Sequence, residues 1–205
     1  LEVTSAPYVY SLDADDLAAP GALAIMADRL DADPRAAVCF GDYEEFGSRE
    51  VTRAVPDRLD PYRLAFTNEY PVTALFRRTI LREVGGWQAK GYEGSFYSDW
   101  NLWMTLAESG AVGVHAGRGV ITYRRRMHAG RVSAASRRRH RELYRRLGGL
   151  HAGLFANLAE HRRGSSLSAP RKLLYPVVYG GRPRLRVELL VKRGLDRIGI
   201  WTLRR

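Results

Sequence analysis

A short apolar run that stops at three aspartates constrains the fold of this chain more than any other stretch. Residues 7–16 read Pro-Tyr-Val-Tyr-Ser-Leu-Asp-Ala-Asp-Asp. The run lacks polar alternation, which predicts a strand buried on both faces, as in a mainly parallel sheet. Ligands of open α/β sheets bind outside the carboxyl ends of strands. We therefore expect the chemistry of this protein at the aspartates that end the strand, Asp13, Asp15 and Asp16.

The Asp-x-Asp spacing allows Asp13 and Asp15 to reach one site. Carboxylate oxygens are hard ligands, so one side chain binds a divalent cation while the other contacts a metal-bound water or a sugar hydroxyl. This predicts a Mg²⁺ or Mn²⁺ site that takes a diphosphate. Aspartates at strand ends are also ordinary turn residues, and Asp16 has the position of a helix cap. The stretch alone leaves both interpretations open.

Composition limits the class of protein. The chain has 205 residues, 45% of them hydrophobic, which is enough for one globular domain with a core. Cys39 is the single cysteine and lies in an apolar run, which predicts a buried thiol and a reducing compartment. No apolar run reaches the roughly 18 residues of a membrane span, and no signal peptide is recognisable, so a cytoplasmic location is expected. Because the chain begins almost directly on the strand, we expect further sequence on its N-terminal side.

The net charge of +11 is unevenly distributed. Residues 1–117 contain 10 Lys and Arg against 18 Asp and Glu, a net −8, whereas residues 118–205 contain 23 against 4, a net +19. This asymmetry predicts an acidic partner for the second part: a membrane surface, a phosphate-bearing substrate or nucleic acid. No nucleic-acid-binding motif is recognisable, so nucleic acid is not expected as a partner.

Periodicity and turn residues predict alternating strands and helices along most of the chain. Helices are predicted at about 20–32, 61–67, 77–84, 98–110 and 133–161, and strands at 36–41, 42–46, 51–55, 112–116 and 120–124, with a further apolar run at 70–76.

The basic tail has the composition of an interfacial helix. Between residues 185 and 201, apolar side chains recur at helical spacing among Arg and Lys. Such a helix binds an anionic membrane surface or packs back onto the domain, and both uses remain open. The predicted organisation is a partial α/β domain at 1–135, a helix at 136–163 and a basic amphipathic tail at 164–205.

Two polar residues outside the strand end are also candidates. Asp99 follows the predicted N-cap Ser98 in the first turn of a helix, where the helix dipole stabilises its charge without any further role. His128 follows a predicted strand. A histidine there is by default a solvated loop residue, although an imidazole near carboxylates completes a metal shell.

Four segments occur in an order that resembles the family-2 glycosyltransferases of the GT-A fold. They are residues 12–16 with Pro20, residues 74–87, residues 98–103, and Tyr123-Arg124 with His128 and Ser133. The resemblance covers roughly residues 7–135. It implies an α/β fold with a mainly parallel sheet flanked by helices. It also implies metal-dependent, inverting transfer of a sugar from a nucleotide-diphosphate donor to a glycan or lipid-linked acceptor.

The resemblance also implies a role for each candidate residue. Direct displacement at an anomeric carbon needs a base on the attacking hydroxyl and charge neutralisation on the departing diphosphate. The implied roles are Asp99 as general base, Asp13 and Asp16 in donor binding, Trp87 near the acceptor, and Asp15 and His128 as ligands of Mn²⁺ or Mg²⁺.

The chain departs from the family in two respects. Ser98 stands where the family has the Glu of a Glu-Asp pair, so Asp99 lacks a like-charged neighbour. The family's first β/α units, which hold the nucleotide base, would precede Leu1. Two rival functions follow: a non-catalytic scaffold of the same fold, and a basic module that binds the inner face of the cell membrane through residues 118–205.

Overall fold

A computed structural model describes residues 4–94, 96–128, 139–179, 194–195 and 197. The elements in chain order are β1 (Tyr8–Tyr10), β2 (Leu17–Ala18), α1 (Ala22–Ala32), β3 (Ala36–Phe40), β4 (Asp42–Gly47), β5 (Val51–Arg53), α2 (Pro61–Leu64), β6 (Leu75–Arg77), α3 (Arg78–Glu83), a 3₁₀ helix (Gly86–Gly91), α4 (Ser98–Glu108), β7 (Val112–His115), β8 (Ile121–Met127), α5 (His140–Leu150), α6 (Ala152–Ala156), α7 (Leu158–Gly164) and α8 (Ala169–Tyr179).

The strands form two mixed four-stranded sheets flanked by helices, so the predicted α/β class is confirmed. The first sheet has the order β1-β6-β3-β7 and the second has the order β2-β8-β4-β5. The β3–β7 and β4–β8 pairs are parallel, whereas β1–β6, β3–β6, β2–β8 and β4–β5 are antiparallel. The prediction of a mainly parallel sheet is therefore wrong. An apolar run predicts that both faces of a strand are buried, but it does not predict the direction of the neighbouring strands. For example, β3 is buried along its whole length between antiparallel β6 and parallel β7.

The strand before the aspartates is short and lies at a sheet edge. Residues 8–10 are half-buried rather than buried on both faces as predicted, and they pair with β6 in the register Val9 opposite Phe76. Leu12 lies beyond the strand and is 41% exposed. Within the described part of the chain, the other edge of β1 has no strand partner.

A cluster of aromatic rings anchors α4 to the first sheet. The ring of Trp103 contacts Phe40, Tyr70 and Phe76, with centroids 5.8, 5.3 and 5.6 Å away. Buried aromatic pairs of this kind contribute about 0.5–1.5 kcal/mol each beyond their area burial. The first turn of α4, with Asp99, is thereby held at a defined distance from the sheet.

The start of α4 differs from the prediction of a Ser98 cap. Tyr97 is the N-cap residue, with φ at 63°, and no side chain caps the helix. Tertiary contacts hold this unusual backbone: the Tyr97 hydroxyl lies 2.7 Å from Nδ1 of His140, and its ring packs on Trp100 with centroids 5.2 Å apart.

Three short helices replace the predicted long helix over the described part of residues 133–161. The chain turns at His151, which is fully buried, with Nδ1 2.7 Å from Oε2 of Glu108 and Nε2 3.0 Å from Oδ1 of Asn101. These contacts hold the turn against α4. They stabilise the turn more than a continued helix would be stabilised by its own backbone hydrogen bonds. Leu143 and Leu154 are buried, as the leucine spacing predicts.

The described tail packs on the domain. Tyr175 and Val178 of α8 are buried, and Leu195 is in contact with the same core. Most of the predicted amphipathic helix at 185–201 lies outside the described residues. None of the described helices is both long enough and apolar enough to cross a membrane.

Candidate functional site

The turn at residues 13–16 is positioned by the pairing of β2 with β8. Leu17 lies opposite Arg124 in this antiparallel pair, so the residues before β2 meet the residues after Arg124. The N–H of Asp16 donates to the carbonyl of Asp13 at 3.0 Å and closes the turn. The N–H of Arg126 donates to Oδ1 of Asp16 at 2.8 Å, and Nε of Arg126 donates to the carbonyl of Asp15 at 3.1 Å.

The structure brings together the two residues predicted to bind metal. Oδ2 of Asp15 lies 3.1 Å from Nε2 of His128, and both side chains are about half exposed. Among the residues that the structure describes, no group of three or more His, Cys, Asp and Glu is placed to hold a metal ion. Mg²⁺ is commonly bound through one or two carboxylates together with substrate phosphates, and a pair of protein ligands fits that kind of site.

Asp16 carries a buried oxygen that no donor satisfies. The residue is 7% exposed, and its Oδ2 has no hydrogen-bond partner among the residues that the structure describes. Burial raises the pKa of the Asp16 carboxyl, the N–H of Arg126 opposes this effect, and the charges of Asp13 and Asp15 add to it. A buried acceptor without a donor costs about 1–3 kcal/mol, which agrees with the raised pKa of this carboxyl.

Asp13 links the turn to α4 through its electrostatic field. Although the residue stays exposed, partial desolvation raises its pKa, and the charge of Asp15 adds to the rise. The charge of Asp13 in turn contributes to a raised pKa at Asp99. This influence on the pKa of Asp99 is smaller than those of burial and of the hydrogen bonds to its carboxylate.

The carboxyl group of Asp99 lies in a desolvated environment with a specific partner. Burial is the main cause of its raised pKa, and hydrogen bonds from the N–H of Trp100 and from Asn68 oppose the rise. Nδ2 of Asn68 donates to Oδ2 of Asp99 at 3.0 Å, while Oδ1 of Asn68 accepts from the N–H of Tyr70 at 3.0 Å. Asn68 is thus fixed at both ends of its amide, and it orients the carboxylate.

Arg125 supplies the positive charge behind the acidic turn. Its positive charge opposes the rise in the pKa values of Asp13 and Asp16, without reversing it. The guanidinium lies over the ring of Tyr43 at 4.7 Å and forms an ion pair with Glu45. The Glu45 side chain is fully buried and also pairs with Arg53 at 3.1 Å.

Sequence reasoning missed Asn68, Arg125 and Glu45. Asn68 lies in a loop without any recognisable motif. The run Arg124-Arg125-Arg126 was visible, and strand alternation places Arg125 on the opposite face from its two neighbours, but only the structure identifies Glu45 as its partner.

Trp87 is the predicted site residue that the structure ties least to the others. Its ring is half-buried and meets Phe76 edge to face, with centroids 5.8 Å apart. The ring therefore belongs to the hydrophobic core, and its contact with an acceptor remains a prediction. A scan against known protein families and a search of curated proteins both find no match to this chain.

Proposed function

We propose that this chain carries the acidic half of a glycosyltransferase site, which moves a sugar from a nucleotide-diphosphate donor to a hydroxyl of a glycan or lipid-linked acceptor, with inversion. The observation that carries the proposal is the 3.1 Å contact of Asp15 with His128 at the acidic turn, with Asp99 as a second carboxylate that Asn68 holds at 3.0 Å. Sugar transfer needs a group that binds the donor beside a group that accepts a proton, and this arrangement supplies both types.

The donor side consists of the residues in the 13–16 turn with His128. Asp15 and His128 would hold Mn²⁺ or Mg²⁺, because their side chains already meet at 3.1 Å and remain exposed to a ligand. When bound, the cation neutralises charge on the departing diphosphate. Asp13, whose side chain is exposed, accepts hydrogen bonds from donor hydroxyls, and Asp16 holds the turn in place through the N–H of Arg126.

The acceptor side consists of Asp99 and its partner Asn68. A general base works best when its pKa lies near the operating pH, and burial moves the pKa of Asp99 in that direction. Asn68 orients the carboxylate through Oδ2, and the carboxylate would take the proton of the acceptor hydroxyl. General-base assistance of this kind contributes roughly 10²–10⁴-fold to the rate.

A donor titration tests the proposal. Nucleotide-diphosphate sugars are titrated by calorimetry, with and without Mn²⁺, into the full-length protein, with any residues that precede Leu1 included. We expect Mn²⁺-dependent binding, and Asp15→Asn should abolish that dependence because it removes one protein ligand. The matched control is Asp28→Asn on the exposed face of α1, which should bind as the parent does. Failure to bind any donor under either condition would contradict the transferase and favour a non-catalytic scaffold.

A further inference from the structure

The solvent-facing side of helix α8 is apolar, whereas this side of a surface helix is normally polar. A surface helix buries one stripe and turns charged residues outward. In α8, Tyr175 and Val178 are buried, yet on the opposite side Leu173 is 61% exposed and Val177 is 66% exposed. These two residues are four apart and therefore neighbours on one helix face.

A cationic pocket lies beside this apolar face. A cavity of about 300 Å³ between α7 and α8 is lined by Ala159, Arg162, Arg163 and Lys172. The aliphatic stems of these side chains line the cavity, so their charged groups lie at its rim, and Nζ of Lys172 donates to the carbonyl of Arg163 at 3.2 Å. Neither guanidinium forms an ion pair with any residue that the structure describes. The charged residues and the histidine of these two helices are Glu160, His161, Arg162, Arg163, Arg171 and Lys172, and α8 also contains Tyr175 and Tyr179.

Buried hydrogen bonds hold the connection between α7 and α8 in place. Asp60 is almost fully buried and accepts from the hydroxyl of Ser165 at 2.7 Å and from the N–H of Ser166 at 3.0 Å. The hydroxyl of Tyr62 donates to the carbonyl of Lys172 at 2.6 Å. The cationic pocket and the apolar face are therefore preorganised relative to each other.

We propose that the α7–α8 surface, defined by Arg162, Arg163, Lys172, Leu173 and Val177, docks on an anionic lipid bilayer. Headgroup phosphates pair with the exposed guanidinium groups of Arg162 and Arg163 at the rim of the pocket, and the two aliphatic side chains enter the interface. Charge next to apolar area is the combination that binds amphipathic helices to acidic membranes. A second copy of the chain is disfavoured as the occupant, because a two-fold contact would bring like charges together. The proposal does not depend on the transferase activity.

Co-sedimentation with vesicles tests the docking. The 205-residue chain should bind vesicles that mix phosphatidylcholine with phosphatidylglycerol, bind phosphatidylcholine alone much more weakly, and lose affinity as salt rises. Equal binding to both compositions, or none to either, would overturn the proposal.

An arginine pair locates the electrostatic contact. Arg162→Gln with Arg163→Gln should weaken binding to the anionic vesicles roughly 30-fold, since each cation at the surface contributes about 1 kcal/mol. The control with the same charge change is Arg141→Gln with Arg145→Gln, two exposed residues on α5. Equal losses in the two double variants would mean diffuse attraction to the whole basic half and would contradict a local site.

An aliphatic pair separates a bilayer from a soluble acidic partner. Leu173→Ser with Val177→Ser should weaken vesicle binding about tenfold or more through lost apolar burial. Both side chains are exposed, so the fold should be retained, as circular dichroism would verify. The control is Leu23→Ser with Ile25→Ser, which removes exposed apolar area from α1 instead. Loss in the arginine variant without loss in the aliphatic variant would identify an acidic macromolecule as the partner and overturn the bilayer proposal.

Discussion

At the scale of single residues, the balance between burial and hydrogen bonding sets the charge of each carboxyl group in the acidic site. Burial raises the pKa of Asp99 and of Asp16, and specific N–H donors oppose the rise at both. Arg125 offsets part of the repulsion from the side of the second sheet. The site therefore holds several carboxyl groups whose protonation responds to small changes in their partners.

The hydrogen bond from Asn68 should be measurable as a pKa difference. A donor to a carboxylate favours the charged form, so its removal raises the pKa. We expect Asn68→Ala to move the carboxyl NMR titration of Asp99 to higher pH. Asn157→Ala removes an exposed amide that bonds the carbonyl of Gly153 and serves as the control. An unchanged or lowered pKa at Asp99 in Asn68→Ala would contradict the assigned contact.

The raised pKa of Asp99 also predicts how stability depends on pH. The folded state binds this proton more tightly than the unfolded state, so stability falls as pH rises from the ordinary carboxyl pKa of about 4 through the raised value. At pH 7 the raised pKa of Asp99 therefore makes the carboxyl a net cost to folding, relative to acid pH. Asp99→Asn should therefore stabilise the protein at pH 7. The expected gain in the free energy of unfolding is about 0.5–2 kcal/mol, the size of other single stabilising substitutions.

Urea denaturation at two pH values checks this expectation. The gain in Asp99→Asn should shrink below pH 4, where the parent carboxyl is protonated as well. Asp28→Asn on α1 should change stability little at either pH. A loss of stability in Asp99→Asn at pH 7 would show that the carboxylate is a structural residue of the first turn.

At the scale of elements, β8 positions the acidic turn and is itself anchored through Glu45. Burial alone would raise the pKa of Glu45, but hydrogen bonds from Arg53 and Arg125 outweigh it and hold that pKa below its usual range. This buried ion pair joins β4, β5 and β8. The stability that the ion pairs of Glu45 contribute should be lost as pH falls through the lowered pKa of Glu45.

Two neighbouring glutamates on β4 provide a matched test of this anchor. Glu45→Gln should destabilise the fold by about 1.5–3 kcal/mol, because it removes the charge-assisted hydrogen bonds of a buried carboxylate, while its arginine partners stay partly exposed. Glu44→Gln should cost less than about 1 kcal/mol, since Glu44 pairs with Arg124 at 3.2 Å on the exposed face. Thermal unfolding of both variants measures the difference. Equal effects would mean that the buried ion pair contributes no more than a surface pair.

Local patterns predicted most elements, and tertiary contacts account for the failures. The helix at 22–32 and the hairpin of β4 and β5 follow from periodicity and a turn glycine. The break at His151 was not predictable, because it depends on contacts with Glu108 and Asn101 that lie on another helix. Strand direction was missed because an apolar run contains no information about the neighbouring strand.

The candidate site was partly predictable for the same reason. Asp15 and His128 were both expected beyond the end of a strand, and their side chains meet in the structure. Asn68 was missed because a loop amide carries no periodic signal, and Arg125 was missed because its importance depends on a buried partner in another strand.

At the scale of the whole molecule, the open edge of β1 affects association. The N–H of Ser11 and the carbonyl of Pro7 bond with β6, so the alternation of an antiparallel pair directs the N–H groups of Tyr8 and Tyr10 toward the open edge. An unpaired edge is a template for another strand. We expect the 205-residue chain to self-associate with rising concentration in analytical ultracentrifugation.

Tyr8→Pro tests whether this edge is responsible. The substitution removes an outward N–H and leaves the hydrogen bonds to β6 in place, so it should shift the protein toward monomer. Arg82→Ala, on the exposed face of α3, is the control and should associate as the parent does. A monodisperse parent at all concentrations would contradict the expected edge pairing.

If the acidic turn binds the donor and Asp99 acts on the acceptor within one site, Asp99→Asn should affect sugar transfer and donor binding differently. Both quantities are therefore measured in the same variant. The measurement is made in the full-length protein, with any residues that precede Leu1 included. Asp99→Asn should lower turnover about 10²-fold or more while the donor Kd stays nearly unchanged, because the base acts on the acceptor and not on the donor. Equal turnover in Asp99→Asn and the parent would contradict the account.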